Sequence, residues 1–400
     1  MDRFGQVRGG PGSAFPWTAT APQPSKTPSR TRLNGKRVPV TRRKHAGAVR
    51  CGTPHPRNRR KPKGSSRTMN ESPARNVFDL MIGYWASQGV YVATKLEIPE
   101  HIDSGKTTSQ ELAAATDSHQ HSLFQLLRFL SGIGVLQGDD EQGFHLTPTS
   151  KLLKKDSAES LRDLVLMYGE EFYRAWGNLL HNVRTGEPAF EFTFDSPMYA
   201  YFAENQESAR RFDGTMSGGS FFRDLPRVHD FSKSDTVVDI AGGAGGLLCE
   251  VLEASPRTRG ILFDRGHVID SAREGIAKRK LADRVSFVEG DYTDSVPSGG
   301  DTYLLSRILH SRTDESCVNL LKNCHRAMKP GGTVIVVERT IPPSGTSSLG
   351  LWFDMHMMVL VGGAERSEQD YIDLFERSGF TFEEILPLSL DMYALVAKRT

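Results

Sequence analysis

Side chains that could do chemistry follow the apolar segments in the second half of the chain. Carboxylate, hydroxyl and imidazole groups stand where predicted strands end: Asp239, Asp264, Asp291, Ser306, His310 and Glu338. Carboxylates accept hydrogen bonds from hydroxyl groups, and an imidazole can take up a proton near neutral pH. Because ligands bind beyond the carboxyl ends of the strands in an open α/β sheet, these residues are predicted to share one site. The alternative for any single acid is that it caps the following helix.

A glycine-rich turn between a strand and a helix is the most informative segment. The apolar residues 237–240 lead into Ala241-Gly242-Gly243-Ala244-Gly245-Gly246, and an apolar helical segment follows. Glycine removes the Cβ that would keep a ligand away from the backbone, and a helix start offers unpaired N–H groups. Asp264 closes the next predicted strand, as the acid of a nucleotide-binding βαβ unit does. This order predicts a nucleoside-bearing cofactor at this edge.

The elements that position these residues alternate regularly. Five strands are predicted near 236–240, 259–264, 284–289, 301–306 and 333–338, with helices between them. Such alternation predicts a parallel, doubly wound α/β sheet. The last two strands, 380–385 and 393–397, have no helix between them, so they should pair as an antiparallel edge hairpin. That ending differs from a dinucleotide dehydrogenase, which would more often continue the parallel alternation.

The first half of the patterned chain is predicted to be helical. Apolar residues recur every three or four positions over 72–100, residues 107–113 form a capped helix start, and 135–147 contains a short hairpin. Helices followed by a hairpin form a winged helix, which raises DNA binding as an alternative. The second helix is neutral and apolar, without the basic stripe that phosphates require. Packing or dimerisation is therefore the preferred prediction.

Charge divides the chain into two parts. Residues 1–68 hold 17 Lys and Arg with Asp2 as their one acid, whereas the remainder has a net charge of −14. The basic part has no apolar period and is predicted to be disordered. It could be a nucleic-acid or membrane tether, an Arg-rich targeting sequence, or sequence translated upstream of a start at Met69, which we favour. The predicted division is a disordered extension (1–68), a helical winged-helix dimerisation and substrate-pocket domain (69–230) and a cofactor-binding domain (231–400).

Other compartments and metal sites find little support in the sequence. No apolar run approaches the ~20 residues that span a bilayer, and no secretory signal is recognised. Four cysteines lack paired C-x-x-C spacing, so reduced cysteines of a cytoplasmic protein are expected rather than a metal site.

Taken together, these segments resemble the class I S-adenosylmethionine-dependent small-molecule O-methyltransferases of the caffeate and acetylserotonin type, with bacterial phenazine methyltransferases the most similar. The resemblance covers about residues 75–398. It rests on the glycine turn and on these motifs: Gly290-Asp291-Tyr292, Ile308-Leu309-His310, Lys329-Pro330-Gly331-Gly332, Val337-Glu338 and Gly362-Gly363-Ala364-Glu365-Arg366-Ser367. It implies a Rossmann-like methyltransferase sheet, S-adenosylmethionine as cofactor, a homodimer, a small aromatic acceptor, and neither a nucleic-acid nor a membrane partner.

The resemblance also implies roles for individual residues. The cofactor is expected to contact Gly243, Gly245, Asp264, Asp291, Tyr292, Ser306 and Ser220. His310 would be the general base, flanked by Glu338 and Glu365. The acceptor pocket is expected to include Phe172, Trp176, Phe212, Met216 and Met358.

Two departures from the family pattern leave the acceptor open. Ala241 stands where the first glycine of the turn is usual, and Ser311-Arg312 replaces the usual Asp-Trp after the histidine. A base with weaker orientation favours an acceptor that is already nucleophilic, such as a phenazine ring nitrogen or an N-hydroxyl oxygen. The alternatives are O-methylation of a phenolic or polyketide metabolite, and a relative that binds the cofactor with altered or lost methyl transfer.

Overall fold

The computed structural model describes residues 72–157, 159–216, 219–342, 346 and 348–400. The predicted basic extension lies outside the described residues. All described residues belong to one compact unit, Asn70–Thr400. None of the described helices is both long enough and apolar enough to cross a membrane. The boundary predicted at residue 230 stays a prediction.

The N-terminal part is a helical layer with a small hairpin, as predicted. Its helices are α1 (Pro73–Lys95), α2 (Ile98–Asp103), α3 (Ser109–Thr116) and α4 (Gln120–Gly132), and its strands are β1 (Leu136–Asp139) and β2 (Gly143–Leu146). Thr108 and Glu111 form the capping box that starts α3. The two strands pair antiparallel, and apolar residues of α2, α3, α4 and the hairpin share one core.

An apolar row on α1 faces solvent. Six large side chains on its first four turns are about half exposed or more: Val77, Phe78, Leu80, Met81, Tyr84 and Trp85. A contiguous apolar surface of this kind usually marks an interaction face, because a solvated monomer gains nothing by exposing it.

Short helices connect this layer to the sheet. They are α5 (Pro148–Lys151), α6 (Arg162–Gly169), α7 (Glu171–Trp176), α8 (Leu179–Thr185), α9 (Ala189–Phe194), α10 (Met198–Glu204), α11 (Gln206–Met216) and α12 (Ser220–Val228). The aromatic side chains of α7, α9, α10 and α11 pack together in a second core with the later helix α16 (Leu349–Val361).

The C-terminal part is a seven-stranded sheet with the predicted alternation. Its strands are β3 (Thr236–Ile240), β4 (Arg259–Asp264), β5 (Val285–Glu289), β6 (Thr302–Ser306), β7 (Thr333–Arg339), β8 (Phe380–Pro387) and β9 (Met392–Arg399). The remaining helices are α13 (Gly246–Ala254), α14 (Gly266–Lys278), α15 (Asp314–Ala327) and α17 (Glu368–Glu376). The strand order is β5-β4-β3-β6-β7-β9-β8; β3 to β7 pair parallel, whereas β9 pairs antiparallel with both β7 and β8. The predicted fold class is confirmed.

The sheet places the polar residues on one edge. Strands β3, β6 and β7 are apolar and buried along nearly their whole length, as central parallel strands covered on both faces should be. Their chain direction is the same, so the residues that end them emerge at the same side of the sheet. The glycine turn, Ser306 and Glu338 therefore belong to one rim.

Candidate active site

The carboxylate of Asp264, at the end of the next strand, is hydrogen-bonded to the backbone of the glycine turn. Asp264 accepts the Gly243 N–H at 2.9 Å and the Arg265 N–H at 2.7 Å, one on each carboxylate oxygen. A Cβ added at Gly245, where φ is +77°, would lie within 2.9 Å of Leu262 and Ile276. A Cβ added at Gly243 would meet no described atom within 4 Å. The backbone at Gly243 thus borders open space, as a ligand-contacting turn requires.

Two buried polar atoms beside the turn have no protein partner. Among the described residues, neither the Asp239 Oδ2 atom nor the Ser306 hydroxyl has a hydrogen bond. Burial, with the Asp264 charge as a second cause, raises the pKa of the Asp239 carboxyl to about 7. An unpaired buried polar atom costs free energy, so both atoms favour a polar ligand at this rim.

A cation lies against the predicted adenine pair. Asp291 accepts the N–H and the hydroxyl of Thr293 at 2.8 and 2.6 Å, which orders the turn after β5. The Arg312 guanidinium donates to the Tyr292 hydroxyl and lies 5.5 Å from the centre of its ring. Arg312, which stands where the family usually has a tryptophan, therefore holds the Tyr292 side chain in place.

The histidine and the two glutamates meet in a buried cluster. His310 lies in a short 3-10 turn after β6, Glu338 near the end of β7, and Glu365 in the loop after α16. The His310 Nδ1 atom is 3.1 Å from Glu365 Oε1 and 3.4 Å from Glu338 Oε2. The second Glu338 oxygen accepts the N–H groups of Ile308 and Leu309, both at 2.8 Å. These bonds fix the carboxylate and the turn that carries His310.

The carboxylates determine which imidazole nitrogen is free. Two acidic groups face Nδ1, so the neutral ring keeps its proton there and leaves the Nε2 lone pair available. No hydrogen bond within the described part of the chain uses Nε2. Burial acts to lower the pKa of His310, but the charges of Glu338 and Glu365 and the bond to Glu365 outweigh it and raise this pKa above 6.5. The arrangement can accept a proton at Nε2.

The predicted pocket residues Phe172 and Trp176 meet on α7, next to α16. The Trp176 indole N–H donates to His356 Nδ1 at 3.0 Å, and the two rings are nearly parallel, with centres 6.2 Å apart. Phe172 meets His356 edge-on, with ring centres 5.0 Å apart. Tyr168 stacks on the His356 ring, with ring centres 5.1 Å apart. These rings form a wall suited to a flat ligand.

The other predicted contact residues lie on neighbouring elements. The Phe212 ring packs beside Phe202, and the Met216 carbonyl accepts a bond from Arg307 at 2.5 Å. The Met358 carbonyl accepts a 3.4 Å bond from Asn182. The Ser220 hydroxyl lies 2.6 Å from that of Ser389, so it already has a protein partner.

Comparison with known proteins identifies the family. An O-methyltransferase domain matches residues 176–381, and an O-methyltransferase dimerisation domain matches residues 78–156. The chain belongs to the O-methyltransferase family. It is a methyltransferase enzyme that uses S-adenosylmethionine and forms a homodimer. The dimerisation match includes five of the six exposed apolar residues of α1, from Phe78 to Trp85, which explains why that row faces outward.

Two relatives and two solved structures illustrate the similarity. The 3-amino-4-hydroxybenzoate 4-O-methyltransferase of Streptomyces cremeus is 39% identical over 330 residues, which are 82% of this chain and 90% of that protein. The phenazine-1-carboxylate N-methyltransferase of Pseudomonas aeruginosa is 38% identical, covering 82% and 98%. The LaPhzM crystal structure aligns with a TM-score of 0.78 at 36% identity, covering 82% and 100%. The NcsB1 O-methyltransferase, solved with S-adenosylmethionine, aligns with a TM-score of 0.68 at 27% identity, covering 83% and 100%.

The turn and its neighbours fit this cofactor. Its ribose hydroxyls and its ammonium group are donors, and the carboxylates of Asp239 and Asp264 offer acceptors beside an unobstructed backbone. The unpaired Ser306 hydroxyl can donate or accept. Several carboxylates also suit a molecule that carries a positively charged sulfonium.

A bound metal is the competing interpretation of the His310 cluster. One donor atom each of His310, Glu338 and Glu365 lies within 4.8 Å of the others, and all three residues are buried. However, Nδ1 is already within hydrogen-bond distance of a carboxylate, and one Glu338 oxygen is committed to two backbone N–H groups. Two atoms that could bind a metal ion, His310 Nδ1 and one Glu338 oxygen, are therefore already engaged in hydrogen bonds.

The glycine turn is strained at its first residue. Ala241 has φ +50°, a left-handed conformation that a Cβ disfavours. Replacing Ala241→Gly should raise the free energy of unfolding by about 0.5–1 kcal/mol, since relief of strain exceeds the added freedom of the unfolded chain. Chemical denaturation of both proteins measures this change. Unchanged or lower stability would mean that the turn tolerates the methyl group without strain.

The His310 imidazole should make the rate of methyl transfer depend on pH. The neutral form of His310 is the one that accepts a proton, so kcat for a hydroxyl acceptor should rise with pH along a limb whose apparent pKa lies above 6.5. Glu365→Gln removes a charge and weakens a bond that both raise this pKa, so the limb should move to lower pH. The pH dependence of kcat for both proteins tests this. A limb that stays in place would mean that another group controls it.

Sequence reasoning missed two residues near the cluster. His356 lies on α16 among the methionines, and burial lowers its pKa to about 4, so this imidazole stays neutral. Arg339 follows Glu338 directly and is buried, with 7% of its surface exposed. The signal that could have found Arg339 is its position at the end of an apolar strand, one residue beyond Glu338.

Proposed function

We propose that this methyltransferase moves the methyl group of S-adenosylmethionine to a hydroxyl oxygen on a planar aromatic nitrogen heterocycle of the phenazine type. The observation that carries the proposal is the His310 imidazole, whose Nδ1 faces two fully buried carboxylates while Nε2 has no partner in the described chain. Such an oriented base is useful only if the acceptor has a proton to lose.

Each residue of the rim has a role in this proposal. The backbone at Gly243 and Gly245 would contact the amino-acid end of the cofactor, and Asp264 would bind the ribose hydroxyls. Asp291 and Tyr292 would contact the adenine. Ser306 and Ser220 would contact the methionine portion, for which Ser220 would give up its bond to Ser389.

The proton and the bonds balance in this reaction. His310 Nε2 takes the hydroxyl proton, and Glu338 and Glu365 stabilise the imidazolium that results. The cofactor supplies an electrophilic methyl group: a carbon–oxygen bond forms, the carbon–sulfur bond breaks, and S-adenosylhomocysteine and an aryl methyl ether remain. Alignment of the reacting atoms supplies up to ~7–11 kcal/mol of the barrier reduction, so the pocket walls matter as much as the base.

A flat acceptor follows from the rings around His356. Tyr168 stacks on this imidazole, and the Trp176 ring lies nearly parallel to it at its edge. Phe353 and Phe172 meet it edge-on. The neutral ring accepts the Trp176 N–H at Nδ1, so its own N–H at Nε2 offers one donor to a heterocycle. The two relatives named above act on a hydroxybenzoate and on a phenazine carboxylate. Both are planar aromatic compounds.

A ring-nitrogen acceptor is the second candidate. It is favoured by Ser311, whose hydroxyl bonds the Ile308 carbonyl at 3.0 Å where the family usually has an aspartate. A ring nitrogen has no proton to lose, so methylation would leave it cationic and would not need His310. A phenol or polyketide acceptor would use the same base, His310, and would differ only in how well its rings fit against the aromatic side chains around His356.

Incubation with labelled S-adenosylmethionine separates these possibilities. The purified protein is given a hydroxyphenazine carboxylic acid, a phenazine carboxylic acid without a hydroxyl group, and a simple catechol, and label is followed into each. We expect label in the hydroxyphenazine at the highest kcat/KM. Preference for the phenazine without a hydroxyl would replace the proposal with N-methylation. No label in any acceptor despite tight cofactor binding would identify a relative that has lost methyl transfer.

We also propose a cytoplasmic location, supported by three buried free cysteines, Cys249, Cys317 and Cys324. Cell fractionation with an antibody against the chain tests it. Recovery from an envelope or secreted fraction would contradict it.

A further inference from the structure

We propose that Arg339 binds a carboxylate of the acceptor, so that the substrate is an aromatic acid and not a neutral phenol or phenazine. The proposal rests on the function proposed above and goes further by assigning the acceptor its charge. It concerns a residue that no sequence motif singled out.

Arg339 is a buried cation without an anionic partner among the described residues. Its surface is 7% exposed, yet no carboxylate of the described residues lies within 4.0 Å of its nitrogens, and its side chain makes no hydrogen bond to them. The Nε atom is fully buried and unpaired. Buried guanidinium groups are normally matched by a carboxylate or by carbonyl oxygens, because removing the charge from water costs several kcal/mol.

The two other buried arginines of the described chain show the usual pattern. Arg366 donates to the Asp314 carboxylate and to two backbone carbonyls. Arg211 pairs with the carboxylates of Glu170 and Glu207. Arg339 instead lies over the face of Phe353, with its guanidinium carbon 3.5 Å from the ring centre. One face of the guanidinium is therefore covered by an aromatic ring, while its N–H groups remain without acceptors.

The contact with Phe353 connects Arg339 to the acceptor site. The Arg339 guanidinium lies over the Phe353 ring, and Phe353 is an edge-on neighbour of His356 in the aromatic wall. Electrostatic influence of Arg339 reaches both Tyr168 and His356. A planar molecule against this wall would thus bring a substituent near the free N–H groups.

A carboxylate suits this cation better than a neutral group does. The guanidinium presents parallel N–H donors that match two carboxylate oxygens, and such charge-assisted bonds are the strong ones. Burial acts to lower the pKa of Arg339, and the charge of Glu365 opposes this effect most strongly. The competing explanation is that Arg339 only offsets the charges of Glu338 and Glu365 from beyond ion-pair distance.

Binding of an acid and its amide distinguishes the two explanations. A hydroxyphenazine carboxylic acid and its carboxamide are titrated into the protein saturated with S-adenosylhomocysteine, and the Kd of each is measured by calorimetry. Three proteins are compared with wild type: Arg339→Gln, Arg339→Lys, and the control Arg279→Gln. Arg279 pairs with Glu250 and Glu253 between α13 and α14, so its loss leaves the aromatic wall intact.

We expect Arg339→Gln to raise the Kd of the acid about 100-fold and the Kd of the amide less than about threefold. The reason is that two charge-assisted hydrogen bonds are lost only with the acid. Arg339→Lys keeps the positive charge but lacks the parallel N–H donors of the guanidinium, so it should raise the Kd of the acid about tenfold. This variant also tests the proposal if Arg339→Gln does not fold. Equal weakening of acid and amide, or no weakening of either, would overturn the proposal. Because binding is measured without turnover, failure of methyl transfer in the labelling experiment would be recognised separately.

Discussion

Asp264→Ala is expected to weaken S-adenosylmethionine binding about 100-fold or more. The Asp264 carboxylate accepts two backbone N–H groups of the turn and, in our account, the ribose hydroxyls as well. Hydrogen bonds to a charged acceptor contribute about 1.5–3 kcal/mol each, so losing the pair to the ribose alone reaches this factor. Equilibrium dialysis or calorimetry with S-adenosylmethionine measures the change.

A matched acidic residue controls for the loss of charge. Asp270 lies on α14, six residues further along, and is exposed. Asp270→Ala should leave the cofactor Kd within about twofold, since a solvated charge at that distance is largely screened. Asp264→Asn keeps the size of the side chain and should fall between wild type and Ala. Wild-type affinity in Asp264→Ala would mean that the cofactor is held elsewhere on the rim.

His310→Ala is expected to lower kcat for a hydroxyl acceptor by about 10²–10⁴-fold, the usual contribution of a positioned general base. The Kd for S-adenosylmethionine should stay unchanged, because His310 faces Glu338 and Glu365 and not the glycine turn. Steady-state kinetics with the hydroxyphenazine and cofactor titration test both statements.

Two comparisons make this result specific. His145→Ala alters an exposed imidazole in the β1–β2 hairpin and should leave kcat unchanged. A more acidic hydroxyl acceptor needs less help, so the loss in His310→Ala should shrink as the acceptor pKa falls. Near-wild-type turnover of an ordinary phenolic hydroxyl would remove His310 as an obligatory base.

The sheet could be predicted from the sequence because its signals are local and strong. The strands β3, β6 and β7 are apolar runs of the length expected for parallel strands buried on both faces, and the missing helix between β8 and β9 predicted the antiparallel edge. The spacing of Thr108 and Glu111 likewise predicted the start of α3.

The substrate wall could not be predicted in the same way. Tyr168, Trp176 and His356 come from three helices separated by up to 188 positions, and their stacking depends on how α6, α7 and α16 pack. The absence of a partner for Arg339 is also invisible in the sequence. A neighbouring glutamate suggests pairing, but consecutive strand residues point to opposite faces, and Arg339 passes over Phe353 instead.

The identity of the methylated atom tests the central claim most directly. In a single turnover, the purified protein transfers a ¹³C-labelled methyl group from S-adenosylmethionine to a hydroxyphenazine carboxylic acid, and the ¹³C chemical shift of the product separates an aryl O-methyl from an N-methyl group. We predict one labelled product with the methyl group on the hydroxyl oxygen and an equal amount of S-adenosylhomocysteine. Label on a ring nitrogen, or cofactor that stays bound and intact beside unmodified acceptor, would contradict the account.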